Sequence, residues 1–144
     1  MFEKIVVAID GSEASEHALE IACDLAGKYN SELHLVHSPQ LETTAIAVGA
    51  GAVVVPADPE KIEEAGHAVL DKSVEIVKAK GCKLATPVMK TGSPAEVILS
   101  AIKSSNADLV VMGRRGLGSL SGLVLGSVSQ KVSHDANCTC MTVC

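Results

Sequence analysis

Aromatic residues are almost missing from this chain, which has one Phe, one Tyr and no Trp among 144 residues. This argues against a surface that stacks aromatic side chains on nucleic-acid bases. Hydrophobic residues still make up 47% of the chain, so the core must consist of Val, Ile, Leu and Ala. That composition is typical of parallel strands buried on both faces and covered by helices. The length suits one domain over residues 1–144.

Basic clusters and long apolar runs are also missing. The formal net charge is -5, and no basic amphipathic stretch occurs, which argues against binding to nucleic acid or to an anionic membrane. No apolar run approaches the roughly 20 residues that cross a bilayer, so membrane insertion is not expected. The first residues lead directly into an apolar strand pattern and lack the features of a signal peptide. We therefore expect a cytoplasmic protein.

The five cysteines are odd in number and scattered, so they are not a disulfide framework. In the cytoplasm they are expected to be reduced. Cys138, Cys140 and Cys144 are spaced to project from one face of a terminal strand, and a metal or redox site there is an alternative. Against it, no fourth ligand stands at metal-site spacing, and small thiols are ordinary core residues. We predict no metal ligands.

Short apolar runs alternate with helical patterns along the chain. Predicted strands cover residues 4–9, 32–37, 83–90, 108–112 and 138–143. Predicted helices run from a Ser12 cap to about residue 28, from an Asp58 cap to about residue 80, from a Ser93 capping box with Glu96, and from a Ser127 cap with Gln130 to about residue 134. Residues 39–57 are predicted to form a loop, partly helical.

The alternation predicts an α/β fold with a single open parallel sheet and helices on both faces, Rossmann-like in architecture. In such sheets, ligands bind beyond the carboxyl ends of the strands, where the strand order reverses. Asp10 follows the first strand and a glycine-rich loop follows the fourth, so a shared pocket requires these strands to be neighbours. The predicted order of the five strands is 3-2-1-4-5.

The loop after the fourth strand has the chemistry of a phosphate site. Gly113, Gly116 and Gly126 allow backbone N–H groups to approach an anion closely, and the helix that follows adds unpaired donors. Ser127 and Ser129 hydroxyls can complete the site, and Arg114 or Arg115 can neutralise phosphate charge. A purely structural loop would also explain the first two glycines, and Asp10 could merely cap a turn. Their combination at a strand-order switch favours a ligand pocket.

A catalytic centre is not predicted. His17, His34 and His37 are each interpreted as packing or hydrogen-bonding residues, with His37 nearest the pocket mouth. The pocket has no evident general base, nucleophile or metal triad, whereas a hydrolase must position a water molecule. We expect turnover of a bound nucleotide to be slow or absent.

The spacing Gly113-x2-Gly116-x9-Gly126-Ser127 resembles the ATP-binding signature of the universal stress protein family. The opening Ile-Val-Val-Ala-Ile-Asp10-Gly-Ser12 is similar to the start of that family, and so is Ala-Asp108-Leu-Val-Val-Met-Gly-Arg-Arg-Gly116. The resemblance implies the same fold and strand order. It also implies ATP as the ligand, with Mg²⁺ held by its phosphates, and a homodimer paired through the terminal strand over residues 138–143.

The resemblance implies nucleotide contacts position by position. Asp10 matches a residue that faces the ribose or a phosphate-bound cation, and Ser38 matches a position whose backbone reads adenine and where the family usually has Val. The remaining implied contacts are, in chain order, Ala8 and Ile9 beside the adenosine, Met112, Gly113, Arg115 and Gly116 in the ribose and phosphate loop, and Gly126, Ser127, Val128 and Ser129 in the phosphate cradle.

The resulting hypothesis is an ATP-binding regulator in a stress response. Two alternatives remain open: a module for cyclic AMP or AMP, and an adaptor that works without nucleotide. A nucleotidyl-transfer enzyme on a related fold would carry His-x-Gly-His or Ser-Gly-Gly-x-Asp-Ser, and neither motif occurs.

Overall fold

The computed structural model describes residues 1–40, 58–116 and 125–144, together with the backbone of residues 44–48 and 51–55. Its strands are β1 (Lys4–Ile9), β2 (Glu32–His37), β3 (Thr44–Val48), β4 (Gly51–Val55), β5 (Lys83–Leu84), β6 (Val88–Met89), β7 (Leu109–Gly113) and β8 (Thr139–Val143). Its helices are α1 (Glu13–Tyr29), α2 (Pro59–Ala79), α3 (Pro94–Ser105) and α4 (Ser127–Asp135).

The main sheet is parallel, with the order β5-β2-β1-β7-β8 and with β6 also paired to β2. The predicted order is therefore confirmed, since β1 lies between β2 and β7. The predicted third strand is wrong as a continuous element, because it consists of two two-residue ladders along β2. Pro87 separates them, and proline has no N–H to donate to a ladder.

The prediction of a loop, partly helical, over residues 39–57 is wrong for residues 44–48 and 51–55. These residues form the antiparallel pair β3 and β4, with Thr44 opposite Val55 and Val48 opposite Gly51. The physical reason lies in their β-branched residues, which favour extended backbone. The rest of the predicted loop from 41 to 57 lies outside the described residues.

Two aliphatic layers enclose the main sheet, as the composition predicts. Alternate residues of β1 point to opposite faces, with Ile5 and Val7 in one layer and Val6 in the other. Helices α1 and α2 cover the first layer, and α3 and α4 cover the second. Each layer is closed to water, since Val6, Val7 and Leu19 are all 0% exposed. Among the described residues, no helix is long and apolar enough to cross a membrane.

Local signals set the ends of α1 and α2 where they were predicted. Ser12 Oγ accepts the Ser15 N–H at 3.2 Å, and Asp58 Oδ1 accepts the Glu60 N–H at 3.1 Å. Helix α2 is stopped by Gly81, two residues after its last helical residue Ala79, and the φ of 69° at Gly81 suits a residue without Cβ. The Cys82 N–H then donates to the Val77 carbonyl at 3.2 Å, which completes a Schellman motif.

Two other predicted caps are wrong in part: Ser93 is the cap residue of α3 as predicted but its capping box does not form, and the cap of α4 lies one residue earlier than predicted. Ser93 occupies the cap position of α3 but makes no side-chain cap bond, and Glu96 instead pairs with Lys131 Nζ on α4 at 2.6 Å. In α4 the cap residue is Gly126 and Ser127 is already helical. In α3, the charged Lys131 from α4 binds the Glu96 carboxylate in place of the local capping bond.

Asp108 fastens the start of β1 to β7. The backbone N–H groups of Lys4 and Glu3 donate to Asp108 Oδ2 at 3.0 and 2.8 Å, and they hold the pKa of this carboxyl below its ordinary value. A carboxyl with a lowered folded-state pKa stabilises the fold above about pH 4, its ordinary pKa, and this contribution disappears as pH falls through the lowered value.

We therefore expect Asp108→Asn to lower the melting temperature by a few degrees at pH 7 and to approach the parent protein in strong acid. Thermal unfolding followed by circular dichroism from pH 7 to pH 2 measures this difference. Asp71→Asn, at an exposed position of α2, is the control. A deficit of the same size at every pH would contradict the charge-based explanation.

Candidate functional site

The carboxyl ends of β1 and β7 place the predicted site residues at one edge of the sheet. Ala8 pairs with Met112 across these strands, so the residues that follow, Asp10 and Gly113, emerge side by side. On the other side of β1, Ile9 pairs with His37, which brings Ser38 to the same edge. The strand order therefore assembles segments that are about a hundred residues apart in sequence.

The two carboxylate oxygens of Asp10 have different surroundings: one caps the turn into α1, and the other faces the candidate ligand pocket. Oδ1 accepts hydrogen bonds from the Ser12 N–H at 2.9 Å and from Ser12 Oγ at 2.5 Å, which is a turn-capping arrangement. Oδ2 faces Gly116, where an added Cβ would stand 2.6 Å from it. Asp10 thus both shapes the turn into α1 and faces the glycine-rich loop.

Neighbouring atoms lie so close to residues 113 and 116 that only glycine fits at either position. A Cβ at Gly113 would lie 3.1 Å from Ala14 Cβ and 3.2 Å from the Arg115 carbonyl oxygen, so the loop packs against the first turn of α1. A Cβ at Gly116 would collide with the Asp10 carboxylate. Neither glycine has a positive φ, and space rather than backbone conformation is therefore the constraint.

The backbone of Arg114 ties both ends of the loop to the rest of the fold. Its N–H donates to the Val143 carbonyl at 2.6 Å. Its carbonyl accepts from the Gly126 N–H at 2.9 Å and from Ser129 Oγ at 2.8 Å. Sequence reasoning missed this role, and no residue pattern signals it, because backbone groups hydrogen-bond regardless of side chain.

The start of α4 offers backbone donors at this edge. Gly126 is its cap residue and no side chain caps the first turn. The N–H groups at a helix start have no partner within the helix and carry partial positive charge, which is the ordinary basis for binding an anion. Ser127 is exposed, whereas Ser129 is buried and its hydroxyl also donates to the Gly126 carbonyl at 3.0 Å. Of the polar groups of Ser129, the backbone N–H rather than the hydroxyl is therefore the one suited to ligand contact.

Several predicted site residues have side chains in the core. Ile9 and Met112 are 4% and 3% exposed, and Ala8 and Val128 pack against the layer beneath α3 and α4. These four residues can approach a ligand at this edge through backbone atoms. Arg115 is half-buried beside Gly116. Residues 117–124 of the loop lie outside the described part of the chain.

The end of β2 is fixed by its own hydrogen bonds. Ser38 Oγ donates to the Gly92 carbonyl at 3.1 Å. His37 is 7% exposed, and its Nδ1 hydrogen-bonds the Ile9 carbonyl oxygen at 2.7 Å. The interpretation of His37 as a hydrogen-bonding residue is thus confirmed, and the bond spans the gap between β1 and β2 beside Ser38.

Residues 1–143 match the model of the universal stress protein family. Universal stress protein YxiE of Bacillus subtilis is 34% identical, with 99% of each chain covered. A universal stress protein of Thermus aquaticus is 33% identical, again with 99% of each covered.

Solved structures share the fold. UspA of Lactobacillus plantarum superposes with a TM-score of 0.76 at 22% identity, covering 99% of this chain and 97% of that one. A universal stress protein in complex with cAMP gives 0.72 at 21% identity, covering 99% and 97%. An Arabidopsis thaliana universal stress protein family protein with AMP bound gives 0.66 at 25% identity, covering 98% and 90%. The family match over residues 1–143 shows that the chain belongs to the universal stress protein family.

Proposed function

We propose that this protein binds ATP at the edge formed by β1, β7 and the start of α4, and that it acts as a nucleotide-dependent regulator in a stress response. The observation that carries the proposal is the contact between Gly116 and the Asp10 carboxylate. It brings a carboxylate suited to ribose hydroxyls or a bound cation against a backbone loop suited to phosphate.

The adenosine would lie over the ends of β1 and β2. Backbone atoms of Ala8 and Ser38 border this position. The ring of His37 is held next to it by the hydrogen bond to the Ile9 carbonyl oxygen. The AMP-bound Arabidopsis relative supports an adenine nucleotide as the class of ligand. Recognition by backbone groups tolerates Ser38 where the family usually has Val.

Phosphates would extend from this position toward α4. Backbone N–H groups of Ser127 and Val128 and the helix dipole favour negative charge there, and the half-buried Arg115 adds a cation. Donors in both the loop and the start of α4 would serve more than one phosphate, and this favours ATP over AMP. Mg²⁺ would be held by the ATP phosphates, because among the described residues no three His, Cys, Asp or Glu side chains cluster as ligands. Asp10 is the carboxylate placed to approach it.

Slow or absent hydrolysis fits the polar side chains at this edge. One oxygen of Asp10 and the hydroxyls of Ser38 and Ser129 are already committed to hydrogen bonds within the protein. None of these groups is arranged as a base for an attacking water. The nucleotide would therefore act as a bound signal.

A route from the nucleotide to a second subunit runs through Arg114. Its backbone joins the phosphate loop to Val143 at the end of β8. In the described part of the chain, β8 has β7 as its partner on one side and lies at the edge of the sheet. Edge strands of this kind are ready to pair. We propose that β8 forms the interface of a homodimer, so that loop geometry and dimer contact influence each other.

Titration calorimetry tests the ligand. We expect ATP with Mg²⁺ to bind at least about tenfold more tightly than cyclic AMP or AMP, a difference of about 1.4 kcal/mol. Mass spectrometry of gently purified, non-denatured protein should show a dimer that retains nucleotide. Tighter binding of cyclic AMP would replace ATP with the alternative ligand, and the absence of any nucleotide binding would favour the adaptor. Steady hydrolysis at an enzymic rate of about 1 s⁻¹ or more, lost in Asp10→Ala, would contradict a regulator.

A further inference from the structure

Two cysteines that are distant in sequence lie together between α1 and the end of α2. Cys23 is on the buried face of α1 and is 3% exposed, whereas Cys82 follows α2 and is partly exposed. Cys82 Sγ lies 3.6 Å from the Cys23 carbonyl oxygen. Burial, and then the adjacent Cys82 thiol, raise the pKa of the Cys23 thiol to about 12. Both thiols are free.

The turn that carries Cys82 has open space beside it at Gly81. Cys82 follows Gly81, which has a φ of 69° and open space where a Cβ would stand. Only the two-residue strand β5 follows. A disulfide needs a sulfur–sulfur distance of about 2.05 Å with Cα atoms about 4.4–6.8 Å apart, so its formation requires the Cys82 side chain to rotate and this turn to shift.

We propose that Cys23 and Cys82 are a redox-sensitive pair, which a peroxide converts into a disulfide that joins α1 to the end of α2. The more exposed Cys82 reacts first: its thiol loses its proton, the thiolate attacks one peroxide oxygen, the O–O bond breaks, and the departing hydroxide takes up that proton, which leaves Cys82 sulfenic acid and one water. The Cys23 sulfur then attacks the Cys82 sulfur. The S–O bond breaks, and the departing hydroxide takes the Cys23 proton as a second water. Two thiols are oxidised and one peroxide is reduced.

The other close pair of thiols does not offer the same reaction. Cys138 and Cys140 lie two residues apart at β8, and their side chains pack in the same direction toward the layer beneath α3 and α4. Cys140 Sγ lies 3.6 Å from the Cys138 carbonyl oxygen, but two residues of extended chain hold their Cα atoms about 6.6 Å apart, at the upper end of the range that a disulfide allows. Burial raises the pKa of both thiols, that of Cys138 to about 11. This pair provides a matched control.

The proposed bond would stabilise the domain without disturbing the candidate nucleotide site. It closes a long loop of chain between Cys23 and Cys82, which restricts the unfolded state. Lys83 pairs with Glu32 at the start of β2, so the bond lies at the amino ends of the strands, opposite Asp10. Oxidation is expected to raise the melting temperature by about 5 °C and to leave nucleotide affinity within about twofold.

Peptide mapping of the full chain tests the pairing. The reduced protein is treated with hydrogen peroxide, remaining thiols are alkylated, and the chain is cut after lysine. Cys82 then lies in the peptide 81–83, Cys23 in 5–28, and the other three cysteines together in 132–144. We expect 81–83 joined to 5–28. Joining of either peptide to 132–144 as the main product, or no joined peptide, would overturn the proposal.

Variants separate the pair from other thiol chemistry. Cys82→Ser should lose both the joined peptide and the melting-temperature rise, whereas the double change Cys138→Ser, Cys140→Ser should keep both. Cys23→Ala, a small apolar replacement for a buried thiol, should accumulate Cys82 sulfenic acid that a diketone reagent traps. An equal rise in melting temperature on oxidation of Cys82→Ser would contradict the proposal.

Discussion

Gly116→Val is expected to weaken ATP binding about 100-fold, which corresponds to about 2.7 kcal/mol. A Cβ at this position would lie 2.6 Å from Asp10 Oδ2, so either the carboxylate or the loop must move. Charge-assisted hydrogen bonds contribute about 1.5–3 kcal/mol each, and loss of one or two accounts for the effect. Calorimetric titration of the variant measures it. The melting temperature should change little, because Gly116 is exposed.

A double-mutant cycle identifies the collision as the cause. If the Asp10 carboxylate is what excludes a side chain, then Gly116→Ala should cost much less affinity in an Asp10→Ala background than in the parent protein. Gly27→Ala is the matched glycine control, since its added Cβ meets nothing within 4 Å, and it should bind ATP normally. An equal cost of Gly116→Ala in both backgrounds would show that the Asp10 carboxylate is not the obstacle.

Features fixed within a few residues could be predicted from the sequence. The Ser12 and Asp58 caps and the stop at Gly81 follow from local chemistry, and the structure has them. The position of the candidate site predicts the strand order, since Asp10 and Gly113 can share a pocket only if their strands are neighbours. The Ser93–Glu96 capping box failed because Lys131, which is close only in the folded protein, takes the Glu96 carboxylate.

The sequence predicts which residues lie at the candidate site. It does not predict whether their side chains or their backbone atoms are available to a ligand. It placed Ser129 in the cradle for its hydroxyl, yet that hydroxyl holds the Arg114 carbonyl. Core packing of Met112 and Val128 likewise leaves their backbone as the part suited to a ligand. Hydrogen bonds made by backbone groups, such as those of Arg114, depend on the path of the folded chain. That path cannot be predicted from the residue types at the positions concerned.

Gly66 shows how a close approach can outweigh helix propensity. It lies inside α2, where glycine costs about 1 kcal/mol relative to alanine. An added Cβ would lie 2.7 Å from Met89 Sδ, 2.9 Å from Pro39 Cγ and 3.3 Å from His37 Cδ2. The flexible end of Met89 can move, but the Pro39 ring is stiff and His37 is held by the Ile9 carbonyl. Helix α2 therefore sits this close to β2 and β6 only because residue 66 has no side chain.

Gly66→Val is accordingly expected to destabilise the fold by about 2–3 kcal/mol through overpacking, lowering the melting temperature by about 8 °C. Gly66→Ala should cost less, since the gain in helix propensity offsets part of the collision. Gly27→Ala makes the same change in α1 with open space around the Cβ, and should instead raise stability by up to about 1 kcal/mol. Urea and thermal unfolding at fixed protein concentration measure all three.

Because the collision displaces Pro39 and His37 on either side of Ser38, Gly66→Val should also weaken adenine nucleotide binding, by less than Gly116→Val does. A gain in stability for Gly66→Val, like that of Gly27→Ala, would contradict this prediction. It would mean that α2 can move away from β2 and that its close packing does not set the position of Ser38.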